Sequence, residues 1–374
     1  FIAFFEKRVY RRFIDGKLPD IEEFKDLNRQ QKLVFDILEN SLKKSIFQTF
    51  LLEGITGSGK TEVYLHAVRS TNESGKSSLV LVPEISLTPQ LVNRFRSRFG
   101  DLVAVLHSGM DDGERFDEWY RVRKGLATIV IGARSAVFSP IKNLGLIVID
   151  EEHDPSYKQG ESPRYHGRDT AIYRGFISNA TVLLGSATPS LESLNNIKNG
   201  KYEILRLTSR IHQVQLPIVK LLDMKTVPNQ KGSPYFSSEL VEALRTRLLK
   251  KEQSILFLNR RGFAPLVRCS GCKSNYTCPN CSLSLVYHQG VNQVRCHQCE
   301  FFKILNNICP ECGNENTPNI IGTGTEQVEE NLKIFFPKAR ILRMDRDTLR
   351  GKHALSKMHE RIRKHEVDIV IGTQ

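Results

Sequence analysis

Three groups of residues have the types and the spacing to do chemistry. The first is Gly54-Ile55-Thr56-Gly57-Ser58-Gly59-Lys60-Thr61, a glycine, four residues, then Gly-Lys-Thr. In such a stretch the glycines let successive backbone N–H groups line one concavity, the Lys60 ammonium reaches the β and γ phosphates, and the Thr61 hydroxyl ligates Mg²⁺. Gly54, Thr56, Gly57, Ser58, Gly59, Lys60 and Thr61 are therefore the candidate nucleotide-binding residues. The second group is Asp150-Glu151-Glu152-His153, at the end of an apolar run. There Asp150 can hold the Mg²⁺ shell, and Glu151 can orient and deprotonate the water that attacks a γ-phosphate. The third is the set of eight cysteines, all between 269 and 312, in four Cys-x-x-Cys pairs: Cys269/Cys272, Cys278/Cys281, Cys296/Cys299 and Cys309/Cys312. Eight thiolates fill two tetrahedral Zn²⁺ sites with none left over, and closed sites of that kind are structural, because no position remains for a reactive water. The spacing leaves open which pairs share an ion. His288 and His297 are surplus to both sites.

These groups need elements to hold them. Phe50-Leu51-Leu52 reads as a strand leading into the phosphate loop, and Glu62 to Val68 as the helix leaving it. A helix opens at Leu27-Asn28-Arg29-Gln30-Gln31, with Asn28 as N-cap and Leu33, Val34, Ile37 and Leu38 on one face. Gln31, just ahead of the loop, offers one donor and one acceptor to an adenine edge. Short β-branched runs follow at 79–83, 102–106, 127–132, 144–150 and 181–186, with helical patterns between most of them. Near-continuous apolar strands alternating with helices predict a parallel sheet covered on both faces, a first α/β lobe over residues 27–208. After Asp150, the loop Asp154–Arg168 mixes Tyr157, Lys158, Arg164, Tyr165 and Arg168, a set suited to stacking bases and contacting phosphates. Gly185-Ser186-Ala187-Thr188-Pro189 places small hydroxyl residues after the last of these strands. Residues 209–236 read as a linker. Strand-helix alternation restarts over 237–374, a second α/β lobe interrupted by the cysteine-rich insertion at about 267–317. Residues 1–26 space Phe5, Val9 and Phe13 as an amphipathic helix, the tail of an upstream domain or a linker.

The whole chain of 374 residues has 54 Lys+Arg against 41 Asp+Glu, a net charge of +13. That balance favours a polyanionic partner but leaves nucleic acid, acidic protein and membrane surface all open. No apolar run is long enough to cross a bilayer, and charge enters too early for a signal peptide, so a soluble, cytoplasmic protein is expected. The chain opens on Phe1 and stops at Gln374 within a strand-like run, as expected of a piece cut from something longer.

Taken in order, Gln31, GITGSGKT (54–61), LVLVPEISLTPQ (79–90), GARSAVFSP (132–140), DEEH (150–153), GSATPS (185–190), FLNRRGFAP (257–265), the four Cys pairs and GTGTEQVEE (322–330) closely resemble the replication-restart helicases of the PriA family, in superfamily 2. The resemblance runs from about residue 27 to the end, and its most discriminating feature is the cysteine block placed after FLNRRGFAP. It implies two RecA-like lobes, ATP, Mg²⁺ and two Zn²⁺ as cofactors, and a bacterial, nucleoid-associated enzyme that moves 3′ to 5′ on single-stranded DNA, recognises forks and initiates primosome assembly. Its implied partners are single-stranded and forked DNA, primosome proteins, the single-stranded DNA-binding protein and the replicative helicase loader, with no membrane. By resemblance, Gln31 reads adenine, Lys60 and Thr61 hold phosphate and Mg²⁺, Asp150 and Glu151 are the catalytic carboxylates, and the loop from Tyr157 to Arg168 couples DNA to hydrolysis. By resemblance again, Cys269, Cys272, Cys309 and Cys312 share one ion, and Cys278, Cys281, Cys296 and Cys299 the other. The family's fork-binding amino-terminal domain and the later arginine-bearing motif are absent, so nucleotide binding with little turnover is expected. Two other readings compete: the ATPase motor of another superfamily 2 translocase, and a zinc-held module that binds ATP and DNA without hydrolysis.

Overall fold

The computed structural model describes residues 20–83, 89–107, 109–211, 217–224, 226–230, 236–258, 266–288, 291–296, 298–315, 318–321, 325–344 and 354–373. The expected helix around Phe5, Val9 and Phe13, most of the run FLNRRGFAP, the glycines of GTGTEQVEE and His297 lie outside them. The chain divides into two compact units, 1–217 and 218–374. The division falls inside the expected linker.

The first unit is built on a seven-stranded parallel sheet. Its strands are β1 (Thr49–Gly54), β2 (Ser77–Leu81), β3 (Val103–Leu106), β4 (Ile129–Gly132), β5 (Leu144–Ile149), β6 (Thr181–Ser186) and β7 (Glu203–Leu207), in the order β3-β4-β2-β5-β6-β1-β7. Successive side chains of a strand point to opposite faces. Phe50 and Leu52 accordingly join one core with Val80 and Val148, while Leu51 joins the other with Leu79 and Ile147. Burial on both faces explains why these strands read as unbroken apolar runs rather than alternating ones. β7 is the exception that the sequence reading missed. It is an edge strand with Glu203 and Arg206 exposed, so its Glu-Ile-Leu-Arg-Leu pattern carries no continuous apolar signal.

Among the described residues six α-helices cover the faces: α1 (Arg29–Lys44), α2 (Lys60–Glu73), α3 (Pro89–Phe99), α4 (Asp112–Lys124), α5 (Gly167–Ile177) and α6 (Leu191–Lys198). α1 begins as expected, with the Asn28 side chain accepting from Gln31 N–H and the Gln31 side chain accepting from Asn28 N–H, a reciprocal capping box. Its inward face differs from the expected one. Val34, Leu38 and Leu42 are buried, whereas Leu33 and Ile37 are exposed.

The second unit holds a three-stranded parallel sheet of β14 (Ile341–Met344), β15 (Ile369–Thr373) and β8 (Ser254–Leu258), in that order. Helices α7 (Ser238–Leu249) and α8 (Thr325–Phe335) pack on it through Val241, Leu244, Val328 and Leu332, against Ile369 and Ile371. Phe236, expected in the linker, joins this core. A further helix, α9 (Ala354–Arg363), precedes β15. Between β8 and α8 stands the insertion, a five-stranded antiparallel sheet in the order β12 (Phe302–Ile304), β11 (Gln293–Arg295), β10 (Val286–His288), β9 (Leu266–Cys269), β13 (Pro318–Ile321). Strand-helix alternation therefore does restart, and the cysteine block interrupts it as a separate small β layer.

Candidate nucleotide site and zinc centres

All strands of the first sheet are parallel, so their carboxyl ends share one edge, the place where open α/β sheets bind ligands. β1 ends in the phosphate loop and β5 ends at Asp150. Gly57 and Gly59 take φ of +82° and +83°, which an L side chain resists. At Gly59 a Cβ would also stand 2.3 Å from Gln31 Nε2 and 2.5 Å from Ile211 Cδ1. Gly59 caps α2 with no side-chain hydrogen bond, which leaves the first N–H groups of that helix for a ligand. Lys60 Nζ donates to Gly54 O at 2.8 Å across the loop. Ser58 Oγ, almost fully buried, has no hydrogen-bond partner. A concave loop with an orphaned hydroxyl, an uncapped helix and one cation fits a polyphosphate.

Gln31 does something the sequence did not announce. Its amide is fully engaged with protein: Oε1 accepts from Asn28 N–H, and Nε2 donates to Ser58 O at 3.2 Å and Gly59 O at 3.4 Å. In this conformation it braces the phosphate loop instead of presenting a free edge to a base. Gln30 beside it grips the segment leaving β7, donating to Thr208 Oγ1 and accepting from Ser209 N–H.

The four residues after β5 divide their labour. Asp150 N–H donates to Leu81 O, and its Oδ1 accepts from Tyr64 Oη at 2.9 Å. Burial pushes the Asp150 and Glu151 carboxyls above the ordinary range; the Tyr64 hydrogen bond and then the Lys60 charge oppose that shift at Asp150, while at Glu151 the neighbouring Asp150 adds to it and Lys60 opposes it. The Tyr64 hydroxyl is pushed well up by burial and by Asp150, so it stays protonated and donates. Glu151 sits at φ +45°, a left-handed backbone that costs a non-glycine residue of order 1 kcal/mol or more and is typical of functional sites. His153 reaches Ser186 Oγ at 2.8 Å and Thr188 Oγ1 at 3.3 Å, which ties the carboxylate turn to the small hydroxyl residues after β6.

Glu152, expected only as part of a motif, proves to be a buried clamp. Its carboxylate accepts from Arg168 Nη1 at 2.9 Å, Ser190 N–H at 2.7 Å, Ser190 Oγ at 3.0 Å and Ser193 Oγ at 2.9 Å. Those donors come from the starts of α5 and α6, so one fully buried charge joins three segments of chain. Arg168 was expected to meet DNA. It is buried and committed to Glu152, Asp169 and Ser190. Tyr157, expected as a stacking platform, is likewise fully buried, and its hydroxyl donates to Asp150 O at 2.7 Å. Of the five loop residues singled out, Lys158 and Arg164 are exposed and Tyr165 is half-buried against Phe138. Arg134, which sequence reading passed over, organises this loop by donating to Ser156 O and Lys158 O.

The cysteine pairs are four copies of one turn. In each, the first cysteine's carbonyl accepts from the N–H four residues on, at Lys273, Ser282, Glu300 and Gly313, and each of those residues has φ between +56° and +69°. The first cysteine's own N–H donates to the carbonyl of the residue after that, Ser274, Leu283, Phe301 or Asn314. Three of the four left-handed positions are not glycine, so the turn is held against local preference by what it encloses. The turns converge as two tetrads, Cys269/Cys272/Cys309/Cys312 and Cys278/Cys281/Cys296/Cys299, whose sulfurs lie within 4.8 Å of one another. Neighbouring sulfurs stand 3.3–3.8 Å apart with no disulfide formed. A tetrahedral ion with bonds of about 2.3 Å would space them by about 3.8 Å, so both tetrads fit Zn²⁺. Hydrogen bonds from the Cys299 and Gln298 backbone pull Cys296 down to about 6, and the bond to Cys296 pushes Cys281 up. His288 lies on β10, and among the described residues, which do not include His297, neither tetrad holds a histidine.

This geometry defines a class before it defines a member. Residues 28–197 match the DEAD/DEAH box helicase family, and residues 278–302 match the PriA DNA helicase Cys-rich region domain. The solved structures of RecG bound to a three-way DNA junction and of the DUF1998 helicase MrfA bound to DNA share the fold, with TM-scores of 0.50 and 0.52. They cover 94% and 93% of this chain and are 17% and 16% identical to it; this chain covers 36% and 42% of theirs. The first unit is thus a helicase lobe. The chain is 43% identical to the replication restart protein PriA of Bacillus subtilis over 98% of its length, and 45% identical to that of Haemophilus influenzae over 97%. It belongs to the PriA family. It spans about half the length of those relatives, 46% and 49%.

Two outcomes test these assignments. Glu152→Ala removes the buried carboxylate that Arg168, Ser190 and Ser193 share, leaves the guanidinium only the exposed Asp169 as counter-charge, and should destabilise the first unit by about 3 kcal/mol in urea unfolding. Cys278→Ser should lose about one of two bound zinc ions by elemental analysis and leave the other tetrad filled.

Proposed function

We propose that this chain is the ATP-binding motor region of a replication-restart DNA helicase. The observation that carries the reading is the meeting of the phosphate loop with Asp150 and Glu151 at one edge of a parallel sheet, in a chain of the PriA family. Thr61 and Asp150 would hold Mg²⁺, Lys60 the phosphates, and Glu151 the attacking water. The cation would neutralise charge on the transferring phosphate; the protein's own contribution is positioning. The positive φ of Glu151 and the fixed backbone of Asp150 supply that positioning. Gln31 reads adenine in this proposal only by exchanging its hold on Ser58 and Gly59 for the base, which would make phosphate-loop geometry respond to the nucleotide.

The remaining parts of the reading rest on kinship. They are movement 3′ to 5′ along single-stranded DNA, action on stalled or repaired forks, and primosome assembly with primosome proteins, the single-stranded DNA-binding protein and the replicative helicase loader, in the bacterial cytoplasm at the nucleoid. The net charge of +13 supports a DNA partner, and exposed Lys158 and Arg164 are the loop residues able to touch its phosphates. In this reading Tyr157 and Arg168 couple DNA to hydrolysis indirectly, from beneath the loop, by holding Asp150 and Glu152.

Equilibrium binding of a fluorescent ATP analogue tests the site. Wild-type protein should bind it with Mg²⁺, and Lys60→Ala should lose at least about tenfold in affinity, because a hydrogen bond to a charged group contributes about 1.5–3 kcal/mol. Equal affinity in the variant would sink the nucleotide assignment. For DNA, the logarithm of single-strand affinity should fall linearly with the logarithm of salt concentration, by about 0.7 per phosphate contacted. A flat response would remove the basic surface as the binding face.

A further inference from the structure

One hydroxyl group crosses from the phosphate-loop helix to the carboxylate strand. Tyr64 lies one turn into α2, with its side chain 2% exposed and its ring packed in the core beneath the sheet. Its Oη donates to Asp150 Oδ1 at 2.9 Å. β1 and β5 are not neighbours; β6 lies between them. The ring therefore has to pass β6, and it does so at Gly185. A Cβ there would stand 1.7 Å from Tyr64 Oη and 2.8 Å from Cζ, closer than any real contact. Glycine at 185 and tyrosine at 64 are matched: the missing side chain of one is the space taken by the hydroxyl of the other. The ring alone would fill the same core volume without the oxygen, so packing does not account for a polar atom buried here. The hydroxyl is accounted for by Asp150, whose backbone carbonyl is held from another side by Tyr157 Oη at 2.7 Å.

We propose that Tyr64 is a positioning residue for the Mg²⁺ carboxylate: its hydrogen bond fixes one oxygen of Asp150 and so sets the direction in which the other is offered to the cation. This rests on the reading of Asp150 as a Mg²⁺-site residue. Groups that orient a metal ligand from behind typically change metal affinity by about 10–100-fold when removed. The link also runs from the helix that follows Lys60 and Thr61 straight to Asp150, so the two halves of the cation site share one rigid connection rather than each depending on its own loop.

The test is an equilibrium titration on the full chain, using a fluorescent ATP analogue first in EDTA and then with increasing Mg²⁺. Tyr64→Phe should bind the analogue in EDTA as wild type does, and should need about tenfold more Mg²⁺ to reach the tightened state. Phenylalanine fills the same space, so a merely structural role would leave the Mg²⁺ midpoint unmoved, and an unmoved midpoint overturns the proposal. Gly185→Ala should raise the midpoint by a similar factor through displacement of the ring, and combining the two changes should add nothing further. Independent, multiplying effects would also overturn it. If wild type responds to Mg²⁺ and Tyr64→Phe responds identically, only this inference falls. If wild type shows no Mg²⁺-dependent tightening, the nucleotide-site reading falls with it.

Discussion

The phosphate loop and the carboxylates Asp150 and Glu151 stand on strands that do not touch. With β6 between β1 and β5, their carboxyl ends are separated by two strand spacings, about 10 Å. Everything at this edge of the sheet follows from having to bridge that gap with atoms that cannot drift. Backbone does part of it: Asp150 N–H is tied to Leu81 O and Glu152 N–H to Gly185 O, so the turn after β5 is fixed to the strands on both sides of it. Side chains do the rest, with Tyr64 passing β6 at Gly185 to reach Asp150 and His153 bonding Ser186 at the end of β6 and Thr188 just after it. A site assembled this way has its geometry set by the sheet, which is the least deformable part of the unit.

The buried Glu152 carboxylate belongs to the same logic. A lone buried carboxylate is costly, and pairing it with Arg168 returns at best a small net gain over an apolar pair. Four donors from two helix starts make it specific instead of merely tolerable, because a shift of α5 or α6 would strip the charge of donors. The consequence reaches the loop between Asp150 and α5. Its ends are pinned, by Tyr157 at one side and Arg168 at the other, while Lys158 and Arg164 remain exposed between them. A ligand pulling on those cations would pull against the two residues that hold Asp150 and Glu152.

The sequence revealed patterns that are local and concealed those that are relational. The phosphate loop, the α1 cap and the cysteine turns each occupy a few consecutive residues whose types are dictated by local backbone, so spacing alone located them. The parallel sheet was legible because burial on both faces writes apolar runs, even in the edge strand β3; β7, at the other edge, escaped because its Glu203 and Arg206 are exposed and interrupt the run. Tyr157 and Arg168 were legible as chemistry but misjudged in direction, since an aromatic-basic loop looks the same whether its members face water or the core. Gln31 stood out for its place just ahead of the loop, but its engagement with Ser58 and Gly59 depends on a loop 27 residues away in sequence. Tyr64 gave no signal at all, because a tyrosine in an amphipathic helix reads as core until the glycine opposite it is known.

The cysteine insertion reverses the usual relation between core and metal. Its buried cluster consists of Val267, Tyr276, Leu285 and Val294 together with four of the cysteines themselves, Cys269, Cys278, Cys296 and Cys309. Half of that core is therefore ligand sulfur, too little apolar surface to order five short strands unaided. Each Cys-x-x-Cys turn buries its first cysteine in this cluster and leaves the second exposed or half-buried, so an ion held between two turns would link core to surface at every knuckle. The pairing follows the strands. β9 is hydrogen-bonded to β13, and the outer tetrad joins the turn beginning at the end of β9 to the one that comes shortly before β13. The inner tetrad joins the turn before β10 to the one after β11, two strands that also pair. An ion in each tetrad would thus enforce the register that the sheet already sets, one for the pair β9/β13 and the other for the hairpin β10/β11.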